Sequence, residues 1–541
     1  MKDIEIPLGR RTAKYRFFEM LPAILSYSIL LCPVVLSFFS PLWASVFIIG
    51  YIILWFVKAV GIAFRTIQGY GFMERAKKVD WQSRLADLEN PGQALERLQK
   101  QSAERSQQWG LSRHKSHLEK LLSGAQGYLK PGDVYNAVII SIYNETEVIA
   151  DTVKALMDSQ YDTERLILII GYEERGPVET HKVVRELVRQ CRSRCRYVAA
   201  VMHPKDIPGE VVGKGGNITY AGHHLTRYLK EAQINPTNVI VTTLDCDNRP
   251  HPAYLASLTY EYCVEPERDH RSFQPVSLYI NNIWDAPAPM RVLATGNSFW
   301  TIINAMRPHM LRNFSSHAQG ASSLIKTDLW STRTIVEDGH QYWRSYFAFD
   351  GNYEVLPIYV PIYQDAVLAS TYMKTVKAQF VQLRRWAYGA SDVAYVADKG
   401  FRKGRTVPLW GLIGRFLRLL ENHTSWAAAA PLVTFGAWAP LFINSEANRS
   451  IVAHELPQIA SQLQRVAMIG IFIVVFLAFK ILPPRPQRYK RHRNVLMLLQ
   501  WLMMPVITIC YGSVAAFNAQ TRLLIGKYLD KFDVTVKAVK K

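Results

Sequence analysis

Val239-Ile240-Val241-Thr242-Thr243-Leu244-Asp245-Cys246-Asp247 is a β-prone apolar run that ends in two carboxylates one residue apart. In an extended backbone, side chains at i and i+2 project to the same side, so Asp245 and Asp247 can reach one cation together while Cys246 turns away. Asn248-Arg249-Pro250-His251-Pro252 then stops the strand, because proline cannot donate to a sheet ladder. The carboxyl edge of a parallel sheet is where α/β proteins bind their ligands. Taken alone, Asp-X-Asp is more often a solvated turn, so the neighbouring segments decide its reading.

From about 133 to about 361, short β-branched runs alternate with helical stretches. Val134 to Ile140 is followed by a helix from about Glu147 to Ser159, Leu166 to Ile170 by a helix near Glu179 to Arg189, and then comes Tyr197 to Met202. Near-continuous apolar runs between helices predict buried parallel strands and a doubly wound α/β domain. Polar groups stand at the strand ends: Tyr143-Asn144-Glu145, Tyr172-Glu173-Glu174, and Gly213-Lys214-Gly215-Gly216-Asn217 on a loop before another helix. Glycines admit backbone amides to a phosphate, lysine adds a compact positive charge, and a helix N-terminus favours an anion. The loop matches neither the Walker A nor the dinucleotide pattern, and an ordinary glycine-rich turn fits it equally.

Three further motifs follow: Thr295-Gly296-Asn297-Ser298, Thr334-Ile335-Val336-Glu337-Asp338 and Gln382-Leu383-Arg384-Arg385-Trp386. On a helix, Gln382, Arg385 and Trp386 stand at i, i+3 and i+4, so an amide, a guanidinium and an indole share one face. That face suits a diphosphate and a stacked sugar or base. It equally suits a membrane interface, with Arg384 and Arg385 on headgroups and Trp386 in the aromatic belt. Glu337-Asp338 reads either as acidic residues opening a helix or as groups that do chemistry.

The chain of 541 residues is 49% hydrophobic and carries a formal charge of +20, which predicts two compartments and anionic partners. No charged residue occurs from Met20 to Val57, about twice the length one span needs, so two helices joined near Ser40-Pro41 are expected. Three more apolar segments run from about His423 to Asn444, Val466 to Leu482 and Val495 to Phe517. Arg10, Arg11, Lys14 and Arg16 precede the first pair, and Pro483 to Arg493 is strongly basic, which places both stretches in the cytoplasm. Ser445 to Gln464 carries almost no Lys or Arg and is expected outside. Five crossings then put a basic tail on the wrong side. Either the last segment, broken at Met504-Pro505, does not cross simply, or an earlier one is miscounted. Nucleic-acid binding is set aside because the positive charge is densest beside apolar spans. Six scattered cysteines read as reduced thiols of a cytosol-facing protein.

In order, the strand-end Asn-Glu, the Lys-Gly-Gly-Asn stretch, Asp-X-Asp, Glu-Asp and Gln-X-X-Arg-Trp resemble the membrane-integrated family 2 glycosyltransferases, the group of cellulose and hyaluronan synthases. The resemblance spans about Val134 to Gly389. It implies an A-type glycosyltransferase domain that uses a nucleotide-sugar donor, UDP-linked in most such enzymes, with Mg²⁺ or Mn²⁺ and inversion at the anomeric carbon. Carried over, Asn144, Glu145, Lys214, Asn217 and Asp245 match nucleotide contacts, Asp245 and Asp247 the metal carboxylates, and Asp338 the general base. Gly296 and Asn297 fall in the acceptor-side loop, and Gln382, Arg385 and Trp386 on the helix near diphosphate and acceptor. Where the family has aspartates after the second strand this chain has Glu173-Glu174, so a base contact would run through Glu173.

The resemblance also implies a multi-pass protein of the inner membrane. Its parts would be a transmembrane hairpin (1–65), a polar helical adaptor (66–130), a cytosolic transferase domain (131–365) and interfacial amphipathic helices (366–422). A transmembrane region (423–520) and a basic tail (521–541) complete it. The acceptor would be a glycan or a lipid-linked hydroxyl among membrane lipids. Either processive polymer synthesis or a single transfer fits, and so does a non-catalytic glycan-export or nucleotide-sensing component that keeps a degenerate domain.

Overall fold

The computed structural model describes residues 4–7, 9, 11–100 and 109–529. Arg10 and the tail from 530 onward, both invoked above for their charge, lie outside the described residues. The strands are β1 (Tyr135–Ile142), β2 (Leu166–Glu173), β3 (Tyr197–His203), β4 (Val239–Asp245), β5 (Arg249–Pro250), β6 (Arg271–Tyr279), β7 (Ala318–Gly320) and β8 (Glu354–Gln364). They form one sheet in the order β3-β2-β1-β4-β7-β6-β8-β5.

The expected α/β domain is present. β3, β2, β1 and β4 are parallel, with Ile139 opposite Ile169 and Thr243. β6 and β8 are parallel to each other, while β7 runs antiparallel to both β4 and β6. The doubly wound reading therefore covers the first half, and the second half is mixed. The sheet is buried on both faces, which is why its strands read as continuous apolar runs. Val138, Ile140 and Ile142 pack one way, against Val148, Ile149 and Val184 on the Thr146–Met157 and Val178–Cys191 helices. Ala137 and Ile139 face the other way, onto Ile218, Leu225 and Leu229 of the Lys214–Glu231 helix.

Two expected loops are helices. Lys214 is the first residue of the Lys214–Glu231 helix, so Gly215, Gly216 and Asn217 form its first turn. Thr295-Gly296-Asn297-Ser298 lies within the Ala288–Ala305 helix, which starts with Pro289 in its first turn and has an apolar face on β6. One internal glycine costs such a helix only about 1 kcal/mol, less than its packing returns.

Five helices are long and apolar enough to cross a membrane: Ala13–Phe39, Pro41–Ala76, Leu409–Ile443, Ile451–Ile481 and His492–Ile525. Ser40 caps the second, as the join near Ser40-Pro41 requires. The stretch Ser445 to Gln464, expected as an external link, is shorter, because helix already begins at Ile451 and buries Leu456 and Ala460 against Ile48 and Ile52.

The contacts show what the ends of the apolar segments touch. The first helix starts beside the sheet domain and ends where Asn444 Nδ2 donates to Ser37 O (2.9 Å). The second returns until Met73 packs on Ile302, and the fourth returns until Trp284 Nε1 donates to Pro483 O (3.0 Å). The fifth segment behaves differently. Near its start, Arg291 Nε donates to Gln500 Oε1 (2.6 Å), and near its end Arg16 donates to Leu523 O (3.0 Å) and Leu524 O (3.1 Å). Both ends thus meet the domain side. Its α-helix is interrupted by a 3₁₀ turn at Gln500–Met503 and a π-turn at Thr508–Ser513, which bend it between these two contacts.

Candidate active site

The site forms where β1, β2 and β4 end, and Lys214 is at its centre. Its side chain is 8% exposed, and Nζ lies 2.9 Å from Asp245 Oδ1, 3.5 Å from Asp338 Oδ1 and 4.0 Å from Glu337 Oε1. Three separate elements supply these groups. Asp245 ends β4, Lys214 opens its helix, and Glu337 and Asp338 form the first turn of the Glu337–Ala348 helix. That helix has no side-chain cap, so the two acids face the lysine instead of closing the helix end. Burial opposes charge on Lys214, but Asp245, Asp338 and Glu337 outweigh it and hold its pKa well above that of an ordinary lysine. Burial and the neighbouring Asp338 raise Glu337 to about 8, against the pull of Lys214. Asp338 Oδ1 accepts no hydrogen bond among the described residues, and His317 stands 3.8 Å away. His317 Nδ1 donates to Phe314 O (3.0 Å) and its Nε2 accepts from Trp330 Nε1 (3.2 Å); burial keeps its pKa below the usual value, so it stays neutral.

Asp245 and Asp247 are not held in one extended strand, because β4 ends at Asp245 and Asp247 lies in the following turn. Asp245 Oδ2 accepts from Ser315 Oγ (2.6 Å), and its amide donates to Asn248 Oδ1 (2.8 Å). Asp247 is buried, and its Oδ2 accepts from the Asp365 amide (3.1 Å). Among the described residues no cluster of three or more metal-ligating side chains occurs. Two oxygen donors suit Mg²⁺ or Mn²⁺ of the kind that keeps waters and shares substrate phosphates, so the carboxylates present fit that metal class.

Glu145 uses its Oε2 locally, accepting from the amides of Tyr143 (3.1 Å) and Asn144 (3.0 Å), while the Asn144 side chain is exposed. Glu173 is buried, and three groups occupy its carboxylate: Arg175 Nη2 (2.9 Å), His203 Nδ1 (3.2 Å) and Asn217 Nδ2 (3.3 Å). Asn217 fits here because Gly171 has no Cβ; one there would overlap Asn217 Oδ1. His203 Nε2 is in turn 3.0 Å from Glu210 Oε2. Burial alone would lower His203, but Glu173 and Glu210 outweigh it and raise its pKa to about 9. The corner expected to read a base through Glu173 is therefore already filled by an internal charge network.

The Gln382, Arg385 and Trp386 helix (Tyr372–Ala387) reaches the rim through Trp386, whose ring centroid is 6.2 Å from that of Tyr279. Tyr279 pairs with Gln364, next to Asp365, and Asn281 Nδ2 donates to Asp247 O (3.1 Å). Gln382 Oε1 accepts from Gln379 Nε2 (3.2 Å). Gly296 and Asn297 are not brought to the lysine cluster by any such contact; Gly296 is exposed with open space around it, and the adjacent Ser298 Oγ accepts the Tyr279 amide (2.9 Å). Ser315, His317, His203 and Glu210 were not singled out from sequence. Only His203, at a strand end, carried a local signal.

No protein-family model matches the chain, and no curated protein matches it in sequence. Among solved structures, it is similar to the mannosyltransferase PcManGT from Pyrobaculum calidifontis, in complex with GDP-Man and Mn²⁺, at 15% identity and a TM-score of 0.39, covering 86% of this chain and 100% of that one. S. aureus TarS 1–349, in complex with UDP-GlcNAc, is similar at 11% identity and a TM-score of 0.35 over 63% of this chain and 92% of that one. Glucosyl-3-phosphoglycerate synthase from Mycobacterium tuberculosis, in complex with Mn²⁺, UDP and phosphoglyceric acid, is similar at 13% identity and a TM-score of 0.29 over 51% and 80%.

Proposed function

We propose that the chain is a membrane-anchored inverting glycosyltransferase that moves a sugar from a nucleoside-diphosphate donor to a glycan or lipid-linked hydroxyl at the cytosolic face of an inner membrane. The observation that carries this reading is the convergence of Lys214, Asp245 and Asp338 from three elements at the carboxyl ends of parallel strands. Displacing a nucleoside diphosphate from a sugar leaves negative charge on the leaving group, and catalysis rests on holding that charge. Lys214 supplies a fixed positive charge there. Asp245 and Asp247 would hold Mg²⁺ or Mn²⁺, which when bound supplies a Lewis acid that neutralises the diphosphate. Asp338 accepts the proton of the incoming hydroxyl; its Oδ1 has no hydrogen bond to lose among the described residues. Arg385 and Trp386 would border diphosphate and acceptor from the rim helix, and Asn144 would meet the nucleotide from the end of β1.

A second reading has one observation in its favour. Glu173 is occupied by Arg175, His203 and Asn217, as expected of a nucleotide-sensing or glycan-export component that has lost base recognition. A donor screen on native membranes with Mn²⁺ or Mg²⁺ separates the two. Transfer predicts release of nucleoside diphosphate from at least one donor and its loss in Asp338→Asn with the fold intact. No release from any donor favours the sensing reading. Laddered products would mark processive synthesis, and one added sugar a single transfer.

A further inference from the structure

The loop from Thr327 to Val336 joins the two halves of the site. Its Ser331 O would lie 2.5 Å from a Cβ on Gly215, next to Lys214, and its Thr332 O accepts the Val211 amide (2.8 Å). Trp330 O accepts from Thr219 Oγ1 (2.9 Å) on the lysine helix, and the loop leads directly into Glu337 and Asp338. This loop opens on a strained turn: Asp328 and Leu329 have φ of 53° and 59°, a left-handed conformation that L side chains rarely adopt.

Two charged groups add to the contacts with Val211 and Thr219. Arg344, 2% exposed and two turns beyond Asp338 on the same helix, donates to Leu329 O (2.5 Å) and Thr327 O (2.9 Å). The other is the segment Ile4–Ile6, just ahead of the first apolar helix. Glu5 Oε1 accepts from Ser331 Oγ (2.5 Å), and Glu5 Oε2 pairs with Arg344 Nη2 at 3.1 Å. On either side, Ile6 O accepts from Arg333 Nη1 (2.8 Å) and Ile4 O from Tyr395 Oη (2.6 Å), while the Ile4 side chain is buried among Leu311, Trp343 and Tyr346.

We infer that Glu5 is a positioning residue: the Ile4–Ile6 strap clamps the 327–336 loop and thereby fixes Asp338 against Lys214. Its catalytic consequence rests on the transferase reading; the clamp itself does not. The strap lies seven residues before the helix that begins at Ala13, so it links the first membrane segment to the base. Glu5 meets the loop at Ser331 and the base helix at Arg344, which sets the expected selectivity. Turnover depends on it and donor affinity does not.

The test compares full-length wild type, Glu5→Gln and Glu5→Ala in detergent micelles by amide hydrogen exchange, and in membranes by nucleoside diphosphate release. Glu5→Ala should speed exchange of the 327–336 amides about tenfold or more and leave β1 and β4 unchanged, with Glu5→Gln intermediate because its amide oxygen still accepts from Ser331. In release assays kcat should fall about tenfold while donor KM stays within about twofold. Unchanged exchange at 327–336, or a raised KM at constant kcat, overturns the inference. If wild type releases nothing from any donor, the transferase reading fails, and the exchange experiment still decides the clamp.

Discussion

Replacing Lys214 with methionine keeps the length and the apolar stem and removes one charge. At an effective dielectric of about 20, an ammonium at 2.9 Å and 3.5 Å from two carboxylates attracts them by about 6 and 5 kcal/mol. Much of that returns when the buried lysine no longer has to be desolvated, and breaking a buried pair costs a net of about 3–5 kcal/mol. For a domain of this size that is a Tm drop of roughly 10 °C. The cost depends on pH. Without the cation, Glu337 moves up from about 8. A carboxyl whose folded pKa lies above its unfolded one contributes fully below the unfolded value, near 4.5, and the contribution disappears as pH rises through the folded value. The variant should therefore lie closest to wild type at about pH 5 and furthest below it at about pH 9. Thermal unfolding in micelles, followed by tryptophan fluorescence across that range, measures the gap. A Tm difference that stays flat with pH would falsify the reasoning, because it would mean that the carboxylates do not share this lysine.

Other outcomes follow from the same geometry. Asp338→Asn should lower Tm by less than Lys214→Met does, since Asp245 still pairs with the lysine, and lower product formation by about 10²–10⁴-fold, measured as nucleoside diphosphate release. His203, raised to about 9 by Glu173 and Glu210, contributes stability that is complete below about 6.5 and lost as pH rises through about 9. His203→Gln should thus cost up to roughly 3 kcal/mol at pH 6 and little at pH 10, read from denaturation midpoints. Gly171→Ala puts a methyl into Asn217 and should cost about 1–3 kcal/mol in the same assay. In a background without the six native cysteines, single cysteines at Lys14 and Lys527 should react with a membrane-impermeant thiol reagent from one side and a cysteine at Ser445 from the other. Labelling of positions 14 and 527 from opposite sides would show that the fifth segment crosses.

The parallel strands were legible because burial on both faces selects apolar residues at most positions of β1, β2 and β4, a pattern that survives in one dimension. The paired first spans were legible for a similar reason, since a bilayer tolerates no charge over that length. Lys214 and Asp245 were found as candidates because each stands where an element begins or ends, and Asp338 through the resemblance in motif order. Local sequence could not say that Gly215 to Asn217 and Gly296 to Asn297 continue as helix, because a glycine costs a helix less than tertiary packing returns. Nor could it say that Glu173 is occupied by a histidine 30 residues away, or that the end of the fifth apolar segment meets Arg16 at the start of the first. Hydropathy measures how apolar a segment is and contains no information on what its ends touch. The sequence by itself determined the first four strands and the apolar segments, through periodicity and composition. Only the tertiary structure decided which charges meet, because the Glu5–Arg344 pair and the Lys214 cluster are made by residues far apart in the chain, and their partners are set by packing rather than by neighbours.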